Sequence, residues 1–125
     1  MLTGPELLTG STRLKAGTAT KMALNILSTG VMVRLGKVFG NRMVAVSVSN
    51  AKLEDRALRI LRDLTGVPRE EGASLLASSH GSVKLALLMA AAALPVNAAQ
   101  QHLEQAGGNL LLALQRSGAQ LQGPQ

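Results

Sequence analysis

The most chemically loaded stretch of this sequence lies near its start: "TGSTRLKAGTATK", residues 9–21. Ser11, Thr12, Arg13 and Lys15 crowd two hydroxyls, a guanidinium and an ammonium together, with Gly10 and Gly17 on either side. Hydroxyls and a planar guanidinium fork suit phosphate oxygens, and a lysine adds a point charge. Glycines let the backbone approach a ligand closely. The apolar text that follows reads as a helix, whose first N–H groups lack intrahelical partners and carry the positive end of the helix dipole. Together these features describe an anion site. The same residues also suit a plain polar cap over a helix start, with both cations in water.

Other candidates are weaker. Lys21 and Asn25 fall one turn apart on the same helix face, where they either support the loop or lie on the surface. His80 and His102 have no second ligand pair beside them, so no metal site is expected. Lys52, Arg56 and Arg59 share a helix with Glu54, Asp55 and Asp63, a pattern of a solvated, salt-bridged face. Glu6 is the only acid before the long helix, so no pair of acids is placed for proton transfer and no catalytic residue is assigned.

The elements that must hold these residues can be read from spacing. Residues 1–17 read as loop, punctuated by Gly4-Pro5, Gly10 and Gly17. A helix is expected from about Thr18, its cap, to Leu35. It is apolar nearly all round, which predicts burial among neighbours. "GKVFGN" breaks the pattern, and "MVAVSVSN" alternates Val44, Val46 and Val48 with small residues, as an extended segment does. Asn50 should cap a helix over Ala51–Thr65 that Gly66 ends, with Leu53, Ala57, Ile60, Leu61 and Leu64 on one face.

An internal repeat follows. "VPREEGASLLASSHGSVKLAL" (67–87) overlays "LPVNAAQQHLEQAGGNLLLAL" (94–114) at an offset of 27. Pro68 then falls on Pro95, Gly81 on Gly108 and Leu85-Ala86-Leu87 on Leu112-Ala113-Leu114. Each unit reads as helix, glycine turn, helix, with Ser82 and Asn109 as caps. Neither hairpin buries its apolar face alone, so the two should pack as a small bundle.

Composition bounds the function. Of 125 residues, 46% are hydrophobic and only 16% charged, against a usual ~25%. Phe39 is the sole aromatic, so the core must be filled by Leu, Val, Met and Ala. Scarce charge with surplus aliphatics is the composition of a piece of a larger buried structure. The net charge of +6 invites nucleic acid, but scattered bases without stacking aromatics argue against it. No cysteine is present, which fits a reducing compartment. The N-terminus lacks a signal-peptide pattern, and the most apolar run, Leu85 to Leu94, falls short of the ~20 residues of a bilayer span.

"GPELLTGSTRLKAGTATKMALN" (4–25), continued by "LSTGVMVRLGKVFGN" and "NAKLEDRALRIL", resembles the signature of the N-acetylmuramic acid 6-phosphate etherases and the related glucokinase regulatory proteins, the bacterial etherases more closely. The resemblance implies the C-terminal part of an α/β sugar isomerase (SIS) domain followed by a small helical bundle like ubiquitin-associated (UBA) domains, mainly α in this chain. The expected division is an SIS remnant over 1–49, a connecting helix over 50–66, a UBA-like repeat over 67–116 and a tail over 117–125. It implies a cytoplasmic carbon–oxygen lyase that cleaves the D-lactyl ether to N-acetylglucosamine 6-phosphate and D-lactate, with no metal or other cofactor. Glu6, Ser11, Thr12, Arg13 and Lys15 become phosphosugar-binding candidates, supported by Lys21 and Asn25; Glu6 either orients the sugar or is a solvated loop carboxylate. A homodimer, or a partner carrying the missing N-terminal half, is the implied assembly, and the chain alone is expected to be inactive. The alternative is a non-catalytic phosphosugar-binding or protein-interaction module. Arg42 and Ala45 depart from the family pattern, replacing an apolar residue and an acid. Gly72 stands where an alanine is usual, and Pro68 and Pro95 where a capping Ser or Asp is usual.

Overall fold

A computed structural model describes residues 2–122 and is mainly helical. In chain order the elements are α1 (Lys15–Arg34), β1 (Val38–Phe39), β2 (Arg42–Met43), α2 (Ala51–Thr65), α3 (Arg69–Ser78), α4 (Val83–Ala92), α5 (Val96–Gln105) and α6 (Leu110–Ser117). They fall into two compact units, residues 1–34 and 35–125.

The first unit is the opening loop and α1. The helix starts three residues before the expected Thr18, at Lys15, for a reason found in the loop and described below. None of its residues is buried, against the expectation of a helix packed all round. Leu24, Ile26, Leu27 and Val31 are more than half exposed. Within its unit the opening loop alone cannot cover a helix around its whole circumference.

The second unit has the core. Asn50 caps α2 as expected, its side chain accepting from the Leu53 N–H at 3.0 Å, and Gly66 closes the helix in the left-handed region. Ala57, Leu58, Ile60, Leu61 and Leu64 are buried on the inward face, while Leu53 stays half-buried. The two halves of the repeat form successive helical hairpins, α3–α4 and α5–α6. α4 is the central helix, packing against α2, α3, α5 and α6. Its Leu87 and Leu88 are fully buried. Ser82 and Asn109 cap α4 and α6 by accepting the Leu85 and Leu112 N–H groups at 3.4 and 3.3 Å. Pro68 and Pro95 occupy the cap positions of α3 and α5 without a side-chain bond, so the first N–H groups of those helices lack that partner.

β1 and β2 pair antiparallel across the Gly40-Asn41 turn, Val38 opposite Met43. Beyond them, among the described residues, Ser47 makes an isolated bridge to Ser82, where the Val48 N–H donates to the Gly81 carbonyl at 3.3 Å. The expected alternation is visible as burial: Val44 is fully buried and Val46 and Val48 pack on the core, while Ala45, Ser47 and Ser49 face out. Just before the hairpin, Gly36 adopts φ +63, and a Cβ there would lie 2.7 Å from the Asn109 side chain, so only glycine fits.

Candidate functional site

The opening loop is fixed by its own two ends. The Glu6 carboxylate accepts the backbone N–H groups of Lys15 at 2.9 Å and Ala16 at 3.0 Å. It therefore caps α1 from nine residues upstream, which is why the helix starts at Lys15 rather than at Thr18. The next donors are also taken: the Gly17 N–H bonds the Thr12 carbonyl at 2.8 Å, and the Thr18 N–H bonds the Leu14 carbonyl at 3.0 Å. The Lys15 ammonium turns back to the Pro5 carbonyl at 3.0 Å. Gly17 answers a packing need, since a Cβ there would lie 3.2 Å from the Thr12 carbonyl oxygen.

This geometry changes the part played by several sequence candidates. The helix N-terminus that spacing offered to a phosphate already holds a carboxylate. Glu6 and Lys15 act here as loop clamps, a role sequence reasoning missed. Its only trace in the sequence is a lone acid beside the Gly4-Pro5 turn, because a cap from so far upstream has no fixed spacing. The turn Leu8–Ser11, closed by the Ser11 N–H to the Leu8 carbonyl at 3.0 Å, presents Thr12 and Arg13 outward and Ser11 half-exposed. Among the described residues none of these three side chains makes a hydrogen bond within the protein, so all their donors stay free. Lys21 and Asn25 are exposed on α1, and no side-chain bond ties either to the loop among the described residues.

The second polar cluster, on α2, is a salt-bridged face as spacing suggested, and it is larger than the sequence shows. Asp55 binds both Arg59 and Arg69, and Asp63 binds both Arg62 and Arg42. The Arg59 and Arg69 guanidiniums hold the Asp55 carboxyl below its ordinary range. Arg42 and Arg69 join from a strand and from α3, which no pattern on α2 could reveal. Lys84, the one charge on α4, donates to the Gly108 carbonyl and so ties the two halves of the repeat. Burial, and secondarily the Lys37 charge, push its ammonium below its ordinary value. Among the described residues no three His, Cys, Asp or Glu side chains converge on a metal position. No single helix there is long and apolar enough to cross a membrane.

No family model matches the chain. Curated proteins similar to it are named N-acetylmuramic acid 6-phosphate etherase. It is 69% identical over 121 residues to the N-acetylmuramic acid 6-phosphate etherase of Synechococcus sp. (strain CC9605), covering 97% of this chain and 38% of the relative. The etherase of Synechococcus sp. (strain CC9902) is 70% identical with the same coverage. That of Synechocystis sp. (strain ATCC 27184 / PCC 6803 / Kazusa) is 67% identical over 114 residues, 91% of this chain and 37% of the relative. The chain matches the C-terminal part of these proteins named N-acetylmuramic acid 6-phosphate etherase. It spans 38% of the length of the first two relatives.

Proposed function

We propose that the chain serves as the C-terminal part of an N-acetylmuramic acid 6-phosphate etherase, a carbon–oxygen lyase, and that its opening loop binds the phosphosugar. The identity to the named etherases supports the family reaction. The observation that carries the loop assignment is the clamp of Glu6 and Lys15, which leaves the loop pre-shaped and the side chains of Ser11, Thr12 and Arg13 without a hydrogen-bond partner among the described residues. In this reading Arg13 neutralises the phosphate with a two-pronged contact, Ser11 and Thr12 donate to its remaining oxygens, and Glu6 and Lys15 set the loop. Lys21 and Asn25 support α1 beneath it. Residues 1–49 then descend from a SIS domain and 67–116 form a UBA-like bundle. A cytoplasmic homodimer, without metal or cofactor, completes the proposal.

One exposed loop binds weakly, since every charge-assisted bond that is absent costs ~1.5–3 kcal/mol. N-Acetylglucosamine 6-phosphate should therefore shift the amide resonances of Ser11 to Thr18 only at millimolar concentration. Arg13→Ala should remove most of the shift. Titration that leaves this loop unmoved, or moves residues 67–114 instead, overturns the assignment. The chain by itself should release no D-lactate from N-acetylmuramic acid 6-phosphate, because Glu6, the only acid of its region, is bonded to the helix start. Turnover lost in Glu6→Gln would refute that.

A further inference from the structure

The outward face of α2 carries more positive charge than its own acids neutralise. Asp55 and Asp63 are each shared between two arginines, Arg59 with Arg69 and Arg62 with Arg42. Lys52 and Arg56 are exposed and have no ion-pair partner among the described residues. Lys52, Arg56 and Arg59 recur at four and then three residues, one stripe of the helix, with rises of ~6 and ~4.5 Å between them. Two concave surfaces flank the stripe and share Arg56 and Arg59. One is bounded by Asn50, Lys52, Leu53 and Asp55, the other by Asn41, Arg42, Met43, Ile60 and Asp63, the two aspartates being those already shared between arginines.

From this arrangement we infer that the α2 face docks an acidic polypeptide segment, with carboxylates about one helical turn apart lying over Arg56 and Arg59. Three features select this occupant. The cations are strung along a line rather than gathered around one point, so an extended partner engages several where a single small anion engages one or two. Arginine forks match carboxylates two-pronged, and half-buried Leu53 offers apolar contact at the rim to side-chain stems. The described residues around the stripe include no aromatic on which a nucleobase could stack. The surface lies in the unit formed by residues 35–125 and stands independently of the phosphosugar loop.

The test is titration of the full chain with a synthetic glutamate-rich helical peptide at low salt, read by amide shifts. Shifts should concentrate on residues 50–63. Arg56→Glu should weaken binding about tenfold, because exposed charge contacts contribute modestly and a reversal replaces attraction by repulsion. Arg34→Glu makes the same net-charge change outside this face and should leave binding within about twofold. Among the described residues Arg56 forms no ion pair with Asp55 or Asp63, so its replacement leaves the four ion pairs in place, and an unchanged melting temperature will confirm the fold. Equal weakening by both variants would mean general charge attraction and overturn the inference. So would a single-stranded oligonucleotide that outcompetes the peptide, tripolyphosphate that matches its affinity, or shifts spread over the whole chain.

Discussion

Gly72 offers the sharpest quantitative test of the helical packing. It lies in α3, its N–H donating to the Pro68 carbonyl at 2.9 Å, and it is buried. The position equivalent by the internal repeat is Ala99, fully buried in α5. A Cβ built on Gly72 would meet Leu58 Cδ2 at 3.4 Å and Leu61 side-chain atoms at 3.9 Å, ordinary contact distances. Gly72→Ala should therefore add a methyl group without displacing anything. Relief of glycine's backbone entropy is worth about 0.5–1 kcal/mol and the buried methyl up to ~0.8 kcal/mol. Allowing for the close approach to Leu58, a net gain of about 1–1.5 kcal/mol follows, or roughly 5–10 °C in melting temperature for a unit of this size. Thermal unfolding followed by circular dichroism measures it. The mirror change, Ala99→Gly, should lower the melting temperature by at least as much. If Gly72→Ala lowers it, the α2–α3 contact is tighter than these distances state, and the equivalence of the two hairpins fails with it.

His80 holds φ +52 where its repeat counterpart Gly107 holds φ +61, so His80→Gly should stabilise by about 0.5–1 kcal/mol in urea unfolding, strain relief exceeding the added chain entropy. A loss of stability would show that its side chain contributes more than its backbone costs. Arg42 carries a buried Nε without a partner, a defect worth about 1–3 kcal/mol, whereas its part-exposed pair with Asp63 contributes no more than about 1 kcal/mol. Arg42→Leu should accordingly be neutral or stabilising, with Arg62 still on Asp63; destabilisation beyond about 1 kcal/mol refutes this. Because the folded-state value of Lys84 lies below its ordinary 10.5, the unfolded chain binds more protons between the two values. The contribution of Lys84 to stability should therefore rise with pH through the folded value up to about 10.5, and Lys84→Met should flatten that part of the profile relative to the parent. A difference profile falling with pH would reverse the assignment.

Local signals determined much of this chain. Asn50, Ser82 and Asn109 cap helices, and Gly66 ends one, because cap chemistry acts over a few residues and leaves a fixed spacing. The alternation of Val44, Val46 and Val48 fixed which side chains turn inward, and the offset of 27 announced two like hairpins. The likeness to the named etherases was legible as well, since the signature over residues 4–25 is long and specific. What tertiary structure decided are the contacts whose partners lie far apart in the chain. Glu6 reaching Lys15 and Ala16 moved the start of α1 and gave the loop acid a capping contact that spacing does not show. Arg42 and Arg69 complete an α2 face that heptad-scale spacing shows only in part, and Lys84 finds the Gly108 carbonyl in the other half of the repeat. Periodicity records which side of an element is apolar; which distant group meets it depends on loop closure and packing, which leave no spacing to read.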